Sequence, residues 1–241
     1  MELKPVIMDS GRIPWFYRPN SATGKIFGKK ALHLDEDTQM VIDYMDYPAG
    51  FTTIAHKHLS SHGLFVLEGQ LKVDEEYYGP GTFVWFPEGV IATHGAAENE
   101  GVKCLLISNK AFSIEYVGDE KNNTGLEKVV VDIHRMPWFY RPTSTTGKIF
   151  GKKQLLLDSE TGMEINYMDY PAGFTTIKHR HSAGHGLFVL EGQLLTGGDL
   201  YGPGTLVWYP EGIEIDHGAT KEHGVKCLLI SNKTFSIEYV S

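Results

Sequence analysis

The sequence predicts an all-β protein made of two tandem copies of one barrel or sandwich, and three observations lead there. A constant shift of 123 residues superposes residues 14–117 on 137–240 without a gap. Roughly 70% of the aligned positions are identical, which marks a tandem duplication. Turn signals recur at matching places, and no segment sustains a helical period.

In chain order, each copy first shows a β-rich run, MVIDYMDY in the first, that ends at the turn Pro48-Ala49-Gly50 or Pro171-Ala172-Gly173. The run GLFVLEG follows, apolar enough to be buried on both faces. A polar hairpin tip comes next, acidic at Asp74–Glu76 and glycine-rich at Gly197–Asp199. Gly79-Pro80-Gly81 and Pro87-Glu88-Gly89 bracket the strand-like TFVWF, as 202–204 and 210–212 do in the second copy. VKCLLIS and FSIEYV close each copy. The polar stretch GDEKNNTG reads as a linker, so the domains are expected at 1–118 and 126–241, with 119–125 between them.

Composition removes several classes of function. The 22 basic and 30 acidic residues give a net charge of −8, which argues against nucleic acid as a partner, since phosphate binding needs a basic face. No apolar run approaches a membrane span. The opening MELKPVIMDS lacks the basic-then-apolar pattern of a secretory signal, so a cytoplasmic location is expected. The two cysteines, Cys104 and Cys227, occupy equivalent places in VKCLLIS and read as buried thiols.

The chemistry lies in the histidines. Residues 50–69 read GFTTIAHKHLSSHGLFVLEG and residues 173–192 read GFTTIKHRHSAGHGLFVLEG. Each copy thus carries H-x-H-x3-H, and a further histidine follows at the same distance. On a strand, residues i and i+2 share a face, so His56 and His58 can reach one ion together. His62 would begin the neighbouring strand, and His94 would enter from a later one. His179, His181, His185 and His217 stand in the same relation. Clustered imidazoles suit Fe, Ni, Cu or Zn better than Mg or Ca.

These residues resemble the cupin superfamily. Its first motif, G-x5-H-x-H-x3,4-E-x6-G, is met by Gly50, His56, His58 and Gly69, and by Gly173, His179, His181 and Gly192. Its second, G-x5-P-x-G-x2-H-x3-N, is met by Gly81, Pro87 and Gly89, and by Gly204, Pro210 and Gly212. The resemblance implies two jelly-roll barrels, a bicupin of double-stranded β-helices. There are two departures. His62 and His185 stand where the first motif has its acidic ligand, and His94 and His217 come two residues late in a second motif that lacks its Asn. Within the superfamily, the PWFYRP…TGKIFGK opening and the VLEG…GPGT…PEG sequence of each copy resemble small cupins related to acetylacetone dioxygenase and dihydroxyacetophenone dioxygenase, and the zinc-binding cupin half of some anti-sigma factors.

That resemblance implies one divalent transition metal per domain. Iron is expected first, with Ni, Zn, Cu or Mn as alternatives. Four neutral imidazoles leave the ion its full +2 charge, which favours an anionic bidentate ligand such as an enolate. The expected activity is O2-dependent cleavage of a C–C bond in a small diketone, hydroxyketone or phenolic ketone, with no catalytic group beyond the metal ligands. A metal-dependent lyase, isomerase or hydrolase, or a metal- or ligand-sensing module, would use the same residues. The expected partners are a small substrate and O2. Two fused halves can act as a monomeric pseudo-dimer or pair again as a homodimer. Trp85, Trp208, Tyr44 and Tyr167 are candidates for the pocket wall.

Overall fold

A computed structural model describes residues 3–117 and 125–240, and among them there is no helix. It therefore also holds no helix long and apolar enough to cross a membrane. The strands form two compact units. One is Ile13–His134, and the other joins the residues up to Arg12 to those from Arg135 onward.

In the first unit a seven-stranded antiparallel sheet runs in the order Val129–Asp132, Thr82–Phe86, His62–Gly69, Val102–Ser108, Val41–Tyr47, Ile26–Leu34 and Phe16–Pro19. Two three-stranded sheets accompany it. His56–His58 lies between Ile91–Ala92 and Ile114–Tyr116, and Leu71–Val73 lies between His94–Ala96 and Glu76–Tyr78. Leu64, Val66, Val84, Phe86, Cys104 and Leu106 pack between the sheets as one apolar core. Gly63, Leu64, Phe65 and Val66 of GLFVL are buried, as the unbroken apolar pattern implied, and Leu67 is half-buried.

The second unit repeats this plan. Its large sheet runs Val6–Asp9, Thr205–Tyr209, His185–Gly192, Val225–Ser231, Glu164–Tyr170, Ile149–Leu157 and Phe139–Pro142. His179–His181 pairs with Ile237–Tyr239, and Leu194–Thr196 lies between Asp199–Tyr201 and His217–Ala219. Cys104 and Cys227 are free and buried.

The compact units do not follow the repeat boundaries at 1–118 and 126–241. Val6–Asp9 pairs with Thr205–Trp208, and Val129–Asp132 pairs with Thr82–Trp85. The leading strand of each copy thus completes the sheet that holds most of the other copy. Thr82–Phe86 and Thr205–Tyr209 would otherwise end their sheets as buried apolar strands with open hydrogen-bonding edges, which a pairing strand removes. The expected linker, 119–125, lies outside the described residues apart from Gly125.

One glycine per copy closes the first motif. Gly69 has φ +73° and Gly192 +77°, and a Cβ on either would lie 1.9 Å from the carbonyl oxygen of Gly101 or Gly224. Positive φ and a backbone clash both oppose a side chain there. Gly69→Ala is expected to destabilise its unit by about 2–4 kcal/mol. A lower denaturation midpoint at unchanged m-value would report this. An unchanged midpoint would show that the Gly101 backbone yields.

Candidate metal centres

In the first unit three sheets converge on one spot, and each delivers histidine. His56 and His58 alternate to the same side of their short strand and are 1% and 0% exposed. His62 opens its long strand, paired with Phe86 on one side and Ser108 on the other. His94 comes from the third sheet, opposite Val73.

The late position of His94 is absorbed by a change of sheet. Ile91–Ala92 pairs with His56–Lys57, while His94–Ala96 pairs with Leu71–Val73, so the chain crosses between sheets at Thr93. Thr53 then clamps the His94 backbone. Its hydroxyl accepts from the His94 N–H at 3.0 Å and donates to the His94 carbonyl at 3.1 Å. Its own N–H donates to that carbonyl at 3.0 Å. Thr176 holds His217 in the same way, with hydroxyl contacts of 3.1 Å in both directions.

His56, His58 and His94 each bring one ring nitrogen within 4.8 Å of the others, as His179, His181 and His217 do, a spacing that could hold a metal ion. The two histidines least favoured by the family spacing, His94 and His217, are therefore inside the tightest groups. His62 lies just outside that group. Its ring centroid is 4.5 Å from that of His58 and 6.1 Å from that of His94, whereas His58 itself is 6.0 Å from His94. His62 thus belongs to the same imidazole wall. His185 sits likewise, 4.1 Å from His181.

The donor set fits a metal. His56 Nδ1 and His58 Nδ1 each lie 2.9 Å from a backbone carbonyl, of Ile54 and Val90. A proton on Nδ1 satisfies that contact and leaves the Nε2 lone pair facing the site. His179 Nδ1 repeats this with Ile177 at 2.7 Å. His58 Nε2, His94 Nδ1 and both ring nitrogens of His62 are buried without a well-formed hydrogen bond. His56 Nε2 and His94 Nε2 are 3.2 Å apart. With metal–nitrogen bonds of about 2.1 Å, two ligand nitrogens stand about 3.0 Å apart at a right angle and about 3.4 Å apart at the tetrahedral angle. The observed spacing falls between them.

Burial also keeps these rings neutral, the form a metal requires. Desolvation is the main cause throughout, with neighbouring imidazoles adding to it at most of the sites. It pulls His62 and His181 down to about 3 and His58 to about 2. His94, His185 and His217 lie well below the ordinary range, and His56 and His179 are also lowered.

Each group stands at a cavity, of about 370 Å³ in the first unit and about 490 Å³ in the second. The aromatic wall differs from expectation. Trp85, Trp208, Tyr44 and Tyr167 do not line the cavities. Strand parity explains this. Asp43, Met45 and Tyr47 face the first cavity, so Tyr44 points away and packs on Trp15 at 5.2 Å. Tyr167 does the same with Trp138 at 5.0 Å. Trp85 is one residue out of phase with Phe86, whose ring lies 5.2 Å from His62. Tyr209 takes the place of Phe86 in the second unit, 4.9 Å from His185. The cavity aromatics instead include Tyr47 and Phe51, stacked at 4.7 Å, and Tyr170 and Phe174, also at 4.7 Å. Glu68 and Glu191 serve no site: they pair with Lys103 and Lys226 on the surface.

Solved structures share this architecture. A candidate dioxygenase from Nostoc punctiforme PCC 73102 superposes over 100% of this chain and 88% of its own, with a TM-score of 0.83 at 14% identity. Oxalate decarboxylase from Bacillus subtilis superposes over 97% of this chain and 79% of its own, with a TM-score of 0.65 at 12% identity. A further structure of that decarboxylase was described for its Mn(II) centres. No curated protein matches the chain in sequence. The cupin-like domain named for ChrR matches twice, over residues 4–112 and 126–234, and the chain belongs to that family.

Proposed function

We propose that the protein is a metal-dependent enzyme that uses O2 to cleave a C–C bond in a small diketone, hydroxyketone or phenolic ketone. The observation that carries this reading is the pair of buried groups made of histidine alone, each beside an aromatic-walled cavity. His56, His58 and His94 would hold one ion with His62 as a fourth imidazole, and His179, His181, His217 and His185 would hold the other. Iron is the first choice of metal. When bound, such an ion supplies Lewis acidity for a chelating enolate and an electron-transfer partner for O2.

The chain's own residues do the rest. Carbonyls of Ile54, Val90 and Ile177 fix ring orientation, and Thr53 and Thr176 fix the late histidine. Tyr47, Phe51 and Phe86, or Tyr170, Phe174 and Tyr209, keep the site dry. The likeness to a candidate dioxygenase supports the oxidative reading, and the likeness to oxalate decarboxylase supports a lyase that needs no oxidation of its substrate.

The test is O2 uptake by iron-loaded protein with acetylacetone, repeated without O2. Product formation only with O2 is expected, and equal turnover without it would move the assignment to a lyase, isomerase or hydrolase. Replacing His62 and His185 together by Glu should keep the metal, because carboxylate is a good ligand, yet lower the site charge. Turnover per bound metal is expected to fall at least tenfold. Undiminished turnover would show that the four-imidazole character is incidental.

A further inference from the structure

The two cavities share an arginine and a lysine but differ in which acidic residue faces them and where it stands. In the first, Lys29 Nζ lies 2.5 Å from Asp43 Oδ2, and the Asp43 side chain is 5% exposed. Its other oxygen, Oδ1, has no hydrogen-bond partner. Arg18 lies 5.1 Å above Phe27 and acts on the same carboxylate. The lysine charge in this cavity is therefore spent, and a buried carboxylate forms part of the wall.

In the second cavity Asn166 occupies the place of Asp43. An acidic residue, Glu164, appears two positions earlier, where the first copy has Val41. It receives the Asn166 Nδ2 donor at 3.1 Å and leaves Lys152 Nζ at 3.5 Å, a looser contact than that of Lys29 with Asp43. Arg141 lies 5.1 Å over Phe150 and makes no salt bridge among the described residues. The mouths differ too. Asn20 Nδ2 donates to Tyr116 Oη at 3.0 Å across the first mouth. Thr143 replaces Asn20 in the second copy and is too short to do so, consistent with the larger cavity there.

We propose that the second cavity takes a chelating ketone that also carries a carboxylate, with Arg141 and Lys152 receiving that group, while the first cavity takes uncharged ketones. A carboxylate entering the second cavity meets an unpaired guanidinium, a loosely held ammonium and a neutral amide, and the carboxylate in that wall, Glu164, is already engaged by Asn166 and Lys152. The same group entering the first meets Asp43, a like charge in a poorly solvated wall. The guanidinium can engage both oxygens of a carboxylate at once, which a neutral diketone cannot exploit. This assignment rests on the proposed function, because the ketone end is placed by chelation at the histidine group.

The experiment is calorimetric titration of zinc-loaded full-length protein with two probes, acetylacetone and 2,4-dioxopentanoate, which differ by one carboxylate. Zinc keeps the measurement independent of O2 and turnover. The expected result with dioxopentanoate is one tight site per chain, at least tenfold tighter than the other, whereas acetylacetone separates the two sites by less than threefold. His179→Ala should remove the tight class and His56→Ala should keep it. Asn166→Asp, nearly isosteric, should weaken the tight class at least tenfold, and Arg141→Gln should do the same. Asp43→Asn should create a second tight site, a gain that impaired folding cannot mimic. Two equal dioxopentanoate sites, or a tight class unmoved by Asn166→Asp, would overturn the inference alone. Binding of neither probe would overturn the chelation reading beneath it and this inference together.

Discussion

Alanine in place of His94 and His217 is expected to lower metal affinity by more than 100-fold, the largest effect of any single position in each site. His94 Nε2 stands 3.2 Å from His56 Nε2, within the span of two ligands on one ion, and the ring is 5% exposed. Residues that merely orient a ligand cost roughly 10–100-fold when removed, so a larger loss marks direct coordination. Thr53 supplies the internal comparison. It touches the His94 backbone and not the ion, so Thr53→Val should fall in the smaller range. Competition with a chromophoric chelator gives both constants. A loss at His94 no larger than at Thr53 would exclude it as a ligand.

The sequence disclosed the fold through its repetition and turn grammar, because a duplicated pattern of short apolar runs admits few architectures. It also pointed to the histidines that gather here, six in the two tight groups with His62 and His185 beside them, and for the His-x-His pairs the reason is that spacing of two along a strand survives any detail of packing. Other features depend on contacts that no local pattern encodes. The late position of His94 looked like a defect against the family motif. Only the sheet change at Thr93 and the Thr53 clamp make it an advantage. The signal was present in GFTT, identical in both copies, but a threonine pair carries no chemical label. Cavity aromatics were missed by strand parity: in YMDY the inward tyrosine is Tyr47, and the outward Tyr44 stacks on Trp15. A frame error of one residue turns the whole side-chain set over. The exchange of leading strands was hidden because each copy's first strand fits either sheet, the two being nearly identical in sequence.

Metal-free protein is expected to lose stability steeply as pH falls below about 6.5, and metal should shift that loss to lower pH. The sign follows from where protons bind. In the unfolded chain each histidine titrates near its ordinary value, about 6.5. In the folded units burial holds His62 and His181 near 3 and His58 near 2, with the other five also lowered. Between these limits the unfolded state binds more protons, so stability rises with pH and is lost on acidification. Each histidine held neutral contributes about 1.4 kcal/mol per pH unit. Four in one unit approach a slope of about 5 kcal/mol per pH unit, against a typical domain stability of about 5–15 kcal/mol. The metal-free protein should therefore unfold, or open its sites, within about one to three pH units below 6.5. Bound metal opposes this, because protons must displace it before the imidazoles can charge. The measurement is an acid titration followed by tryptophan fluorescence and circular dichroism, on chelator-treated and zinc-loaded protein. His62→Ala with His185→Ala gives the control: removing two depressed groups should flatten the slope even as it empties part of the wall. A transition confined below pH 3 and unchanged in that variant would assign acid unfolding to the carboxylates and show that the buried imidazoles take up protons without cost.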